Sequence, residues 1–232
     1  MKLCKSAQVE SLTLSESDLA QINTYTLRDL TAEEVFAFKL RLCDNEIDRD
    51  LERFTVDAMQ GLAKLYCGKP IIQDHDPSAA KQTARIYATE VVQDAERKTS
   101  TGEVYTSLVA KVYMVRTGSN ADQIKEIEAG IKKEVSVGCS VRRSSCSVCG
   151  SEKDRCKHIP GRTYDGIFCH RLLNDPDDAY EASFVAVPAQ RNAGTTKSHE
   201  PDDPCADETA MQTVDTDIDM IGVFLFCEKQ KG

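Results

Sequence analysis

The chain has 232 residues, enough for one ordinary domain with tails and a sizeable core. Its 41% apolar and 29% charged residues fit a soluble globular protein, and a net charge of −9 argues against a general nucleic-acid binder. No apolar run follows Lys2 and Lys5, and the run at 220–227 is too short to span a bilayer, so neither a secretory signal nor a membrane span is expected. Ten cysteines in such a chain point to metal ligands, a reactive thiol or buried apolar residues rather than to a disulfide scaffold.

Residues 1–32 are polar and without strong periodicity, and read as a loosely ordered lead-in. Phe36, Phe38, Leu40 and Leu42 alternate with smaller or charged residues, which predicts a strand. An acidic connection at 44–50 leads to a helix over 55–66, with Met59, Leu62, Ala63 and Tyr66 on one face. Gly68 and Pro70 end it, and a short strand from Pro70 runs into Asp74-His75-Asp76.

Strands are expected over 85–93 and 103–115, the second with Val104, Thr106, Leu108, Ala110, Val112 and Met114 on one face. Asn120 caps a helix expected over 121–133, carrying Ile124, Ile127 and Ile131 at spacings of 3 and 4. Further strands are expected over 134–141 and 180–187. This order is not a regular βαβ alternation, so a doubly wound sheet is disfavoured. An α+β domain over 33–193, built on a small barrel or curled sheet flanked by helices, fits better.

The composition changes at Gly194. Residues 194–232 hold nine acidic and three basic residues, so most of the net charge sits there. This acidic linker and tail ends in an apolar segment, 221–226, which reads either as an extra strand or as an adhesive segment that docks or is removed.

Three residues outside the cysteines suggest chemistry. Ser136 shares a strand face with Gly138 and Ser140, opposite Val135, Val137, Cys139 and Val141, and Gly138 leaves space beside it. His75 follows an apolar strand end, and its flanking Asp74 and Asp76 would stabilise an imidazolium, as a general base requires. Glu181 lies within an apolar strand, where a carboxylate needs a partner. On local features alone, an ordinary strand serine and an exposed loop histidine are the better readings, and a salt bridge to a nearby lysine or arginine is the alternative for Glu181.

Cysteines and histidines crowd residues 142–173, as Cys146-x2-Cys149-x6-Cys156-x-His158-x10-Cys169-His170. Cys-x2-Cys lets two thiolates face one ion. Cys156 and His158 would close a tetrahedral site, with Cys169 as the alternative fourth ligand. Seven basic against three acidic residues over 142–171 favour thiolates. A zinc-stapled insertion is the leading reading, with reduced, unliganded thiols as the alternative.

Ile72-Gln73-Asp74-His75-Asp76, Val135-Ser136-Val137-Gly138-Cys139 and the stretch Tyr180-Glu181-Ala182-Ser183-Phe184-Val185-Ala186-Val187-Pro188-Ala189 together, in this order, resemble the tailed-bacteriophage prohead maturation proteases. The resemblance spans roughly residues 33–193 and extends in fold to the herpesvirus assemblins. It implies a small, mainly antiparallel β-barrel ringed by helices. It also implies a serine endopeptidase with Ser136 as nucleophile, His75 as general base and Glu181 as the group that orients His75, needing no cofactor for catalysis.

Assemblins use a second histidine as third member, which makes His170 a rival to Glu181, with Asp177 and Asp178 behind it. Backbone amides near Arg142 or Arg191 are the candidate oxyanion donors. The implied partners are phage scaffold and major capsid proteins, inside the assembling prohead in the host cytoplasm. Nucleic acid and membrane are not expected, and a homo-oligomer is left open. The rival readings are a catalytically silent assembly protein on the same fold and a zinc-stapled interaction module.

Overall fold

The computed structural model describes residues 13–152 and 155–195. The expected extra strand or adhesive segment at 221–226 therefore lies outside the described residues, as does the tail from 196 onward.

The fold is α+β. Its strands are β1 (Val35–Asp44), β2 (Glu52–Phe54), β3 (Pro70–Gln73), β4 (Ala84–Lys98), β5 (Val104–Val115), β6 (Val135–Cys146), β7 (Thr163–Tyr164), β8 (Ile167–Phe168), β9 (Arg171–Phe184) and β10 (Gly194–Thr195). Its helices are α1 (Glu16–Asn23), α2 (Val56–Tyr66) and α3 (Ala121–Glu128).

One mixed sheet runs in the order β10-β1-β5-β4-β3-β9-β2, and β6 also pairs with β9. Antiparallel pairs dominate; β2 and β3 run parallel to β9. The long strand β9 is the hub. One edge pairs with β6 along its length, while the other takes β2 at one end and β3 at the other. Among the described residues the expected barrel is not formed, because no ladder joins β6 to β10. Their ends meet only through a single bridge between Glu134 and Gly194 and the Thr195 N–H bond to Lys133 O.

The alternation in β1 does what it predicts. Phe36, Phe38, Leu40 and Leu42 are at most 1% exposed and pack with Met59, Leu62 and Tyr66 of α2 and with Leu108, Val112 and Met114 of β5. Thr55 caps α2 by accepting the Ala58 N–H. Gly61 lies in the middle of this helix, where glycine is unfavourable. A Cβ there would stand 2.5 Å from Pro176 Cγ, so the glycine is what lets β9 approach.

Several boundaries depart from the sequence expectation. The lead-in contains α1, capped by a reciprocal Ser15–Asp18 box, and Ile22 packs beneath it on the outer face of β1 and β5. Burial alone would raise the Asp18 pKa, but Lys111 and Ser15 bring it down to about 2. The helix expected over 121–133 stops at Glu128, because Gly130 turns the chain with a positive φ, and Ile131 is 72% exposed. Strand β6 runs on to Cys146 and β9 starts already at Arg171, so the insertion between them is shorter than 142–173. Among the described residues, no helix is long and apolar enough to cross a membrane.

Candidate functional site

The pairing of β6 with β9 sets Ser136 opposite Ser183 and Gly138 opposite Glu181. Side chains alternate along each strand, so these four positions share one face of the sheet. The other face carries Val135, Ala182 and Phe184 into the core. After Gly138 the register shifts, and Cys139 pairs with Ala179.

His75 reaches this face from the end of β3. Ile71, Ile72 and Gln73 pair in parallel with Ala182, Ser183 and Phe184, and the chain then turns sharply. Asp74 and His75 both adopt left-handed backbone, with φ of 55° and 54°. Each such residue costs about 1–2 kcal/mol unless its surroundings hold it. Strand β9 holds both: Phe184 O accepts the Asp74 N–H at 3.0 Å, and Ser183 Oγ accepts the His75 N–H at 2.8 Å.

The turn brings His75 Nδ1 to 2.8 Å from Glu181 Oε1. That hydrogen bond is the main reason the imidazole pKa lies above its ordinary value, and the charges of Glu181 and Asp74 add to it against burial. Asp76 does not share in this, since its Oδ1 instead accepts the Ser78 N–H. The carboxylate that faces the imidazole comes from β9, not from both sequence neighbours.

Gly138 also differs from expectation. The space beside it is occupied by Glu181, whose Oε1 would lie 2.4 Å from a Cβ at position 138. Buried Tyr66 lies on the other side of this backbone and donates its hydroxyl to Gly138 O at 3.1 Å. Glu181 Oε2 is buried without a hydrogen-bond partner, so one carboxylate oxygen serves His75 and the other has none. Ser136 is half-buried, and no hydrogen bond joins its hydroxyl to His75.

The rivals to Glu181 are engaged elsewhere. His170 precedes the first residue of β9, at the far end of the strand from Glu181, where its Nε2 accepts from Arg53 and its Nδ1 donates to Phe168 O. Arg53 also binds Glu103 through both oxygens, and burial lowers the His170 pKa. Asp177 pairs with Arg142, and Asp178 with Lys69. Arg142 itself lies six residues along β6 from Ser136, about 20 Å at strand rise, too far to supply an oxyanion donor. The turn holding Arg191 leads into Gly194, which bridges Glu134, two residues before Ser136.

The second cluster lies at the other end of the same ladder. Cys146 closes β6, and Cys149, Cys156 and His158 place their ligand atoms within 4.8 Å of it and of one another. Bonds of about 2.3 Å to sulfur and about 2.0–2.1 Å to nitrogen, at tetrahedral angles, give edges of about 3.8 Å (S–S) and about 3.5 Å (S–N). The separations are 3.5 Å for Cys149–Cys156, 3.4 Å for Cys156–His158 Nδ1 and 3.8 Å for Cys146–His158 Nδ1. The four groups fit a tetrahedral ion.

Local backbone supports the cluster. Gly150 turns with a positive φ right after Cys149, and the Val148 and His158 N–H groups point to the sulfurs of Cys146 and Cys156. Hydrogen bonds from Ser151 and His158 hold the Cys149 thiol at about 6, which favours the thiolate. The Asp165-Gly166 turn, left-handed at both residues, closes the β7–β8 hairpin and sets Tyr164 edge-on to His158 at 4.5 Å between ring centres.

Cys169, the alternative fourth ligand, stands outside the four. Its sulfur lies 3.8 Å from Cys146 Sγ, and burial and Cys146 push its thiol up to about 11.

Two contributors escaped the sequence reading. Tyr66 looked like a core residue, which it also is. Ser183 lies two residues from Glu181, so strand alternation puts it on the same face, but only the fold brings His75 onto it. No family model, curated protein or solved structure matches the chain.

Proposed function

We propose that this chain is a serine endopeptidase of the prohead maturation type, acting on phage scaffold and major capsid proteins inside the assembling prohead in the host cytoplasm. One observation carries the reading: His75 Nδ1 bonds Glu181 Oε1 on the same sheet face that presents Ser136. The ordered motifs around these three residues support it further. A conformationally costly turn that aims an imidazole is also what functional sites tend to contain.

In this reading Glu181 accepts the Nδ1 hydrogen and leaves Nε2 free as the base. His75 takes the Ser136 proton as the hydroxyl oxygen attacks the scissile carbonyl, then returns it to the leaving amine. Water, deprotonated in the same way, hydrolyses the acyl-enzyme. Unbound catalytic hydrogen bonds are often open, so the missing Ser136–His75 bond is compatible with this chemistry. The cysteine cluster takes a structural zinc, since three thiolates and one imidazole make a closed site with no position for substrate.

The test is co-expression with the neighbouring capsid and scaffold genes, together with the intact mass of the chain. Processing that stops with Ser136→Ala supports the protease; processing that continues refutes it. The open Ser136 hydroxyl also favours a second reading, an assembly protein that does not cleave. Normal assembly with Ser136→Ala but failure on deleting residues 208–232 would identify it.

A further inference from the structure

We propose that Ser183 is a positioning residue that holds His75 in its working orientation, an inference that rests on the protease reading for its consequence. Ser183 is fully buried, yet its side chain is a hydroxyl. Such a group needs partners. Here it accepts the His75 N–H at 2.8 Å and donates toward Phe184 O at 3.4 Å. Phe184 O also receives the Asp74 N–H. The hydroxyl therefore joins the two backbone groups that fix both left-handed residues of the turn.

The placement carries a second consequence. Ser183 is the cross-strand neighbour of Ser136 and lies two residues from Glu181. One strand thus supplies the acceptor for the His75 backbone, the acceptor for its ring and the position opposite the serine. Without the Ser183 oxygen, the His75 N–H would face an apolar methyl group. The turn would have one anchor fewer, and Nδ1 would drift from Glu181 Oε1.

The test uses the full chain with Ser183→Ala and follows His75 by NMR titration, its ring signals assigned by comparison with His75→Gln. The titration midpoint should fall toward the ordinary histidine value of about 6.5. Peptide cleavage should lose about tenfold or more in kcat with KM within about twofold, as expected for lost orientation. An unchanged midpoint overturns the proposal. A second measurement needs no variant: in the wild-type chain the His75 amide should be protected from hydrogen exchange as strand amides are, and exchange at an open-loop rate overturns it too. If Ser136→Ala leaves cleavage intact, the protease reading fails, while the His75 midpoint still decides the role of Ser183.

Discussion

Gly138 and Glu181 face one another across the β6–β9 ladder so closely that the glycine's missing side chain is what admits the carboxylate. Gly138→Ala should therefore act on the site more than on the fold. The atom in the way ends a flexible side chain, so Glu181 can swing aside at small cost. Stability should change by no more than about 1 kcal/mol, since the lost contact is partly offset by a stiffer strand. His75 should lose its carboxylate, and its titration midpoint should drop. A thermal melt beside an NMR titration checks both; an unmoved midpoint would mean that Glu181 accommodates the methyl without leaving His75.

The pH dependence follows from the same pair. The hydrogen bond to Glu181 raises the His75 pKa above its ordinary value. A base must be neutral, so cleavage should fall as pH drops through that raised value. Glu181→Gln should move the acid limb to lower pH while lowering the plateau. Stability runs the other way. A raised folded pKa contributes stability that is full below about 6.5 and is lost as pH rises through the folded value. The His75 side chain is 42% exposed, so solvent screening keeps this term small. A pH–rate profile of the wild type and Glu181→Gln decides; superimposable acid limbs would detach Glu181 from His75.

What could be read in advance follows physical lines. β1, α2 and β5 were legible because each buries one periodic face, and period is what a sequence displays. The outer halves of β4, β6 and β9 were not. Residues 93–96 of β4 are all exposed, with Gln93 and Asp94 held by the ladder and the next residues in a bulge before Lys98, and 142–145 of β6 alternate no better, being held by the ladder rather than by the core. Helix α1 had its Ser15–Asp18 box in plain view, but its apolar side is little more than Ile22 and Leu19. At the site, residue types and order suggested His75, Ser136 and Glu181, whereas the left-handed turn and the Ser183 anchor arise from a parallel pairing that no local pattern encodes.

The cluster at the end of β6 should contain one zinc per chain. A structural zinc contributes folding free energy directly, so a chelator should lower Tm by more than about 5 °C, each kcal/mol being worth about 2–4 °C at this size. Metal analysis with thermal melts before and after chelation measures both. Metal well below one equivalent after purification in zinc-supplemented medium would leave the four groups as ordinary thiols and a histidine.

Cys156 and Cys169 should respond differently to the same substitution. Cys156 Sγ stands 3.5 Å from Cys149 Sγ and 3.4 Å from His158 Nδ1, at two edges of the tetrahedron. Cys169 is not among the four residues whose ligand atoms lie within 4.8 Å of one another, and its sulfur meets the cluster at Cys146 Sγ, at 3.8 Å. Cys156→Ser should weaken zinc binding by at least about 10-fold, because it removes one of the four donors. Cys169→Ser should keep stoichiometric zinc and lose about 1 kcal/mol or less, since serine fills nearly the same volume but puts a less apolar atom in a buried position. Competition with a chromogenic chelator ranks the two variants. If Cys169→Ser loses the metal and Cys156→Ser keeps it, the ion sits deeper, between Cys146 and Cys169, and the ligand set must be redrawn around that pair.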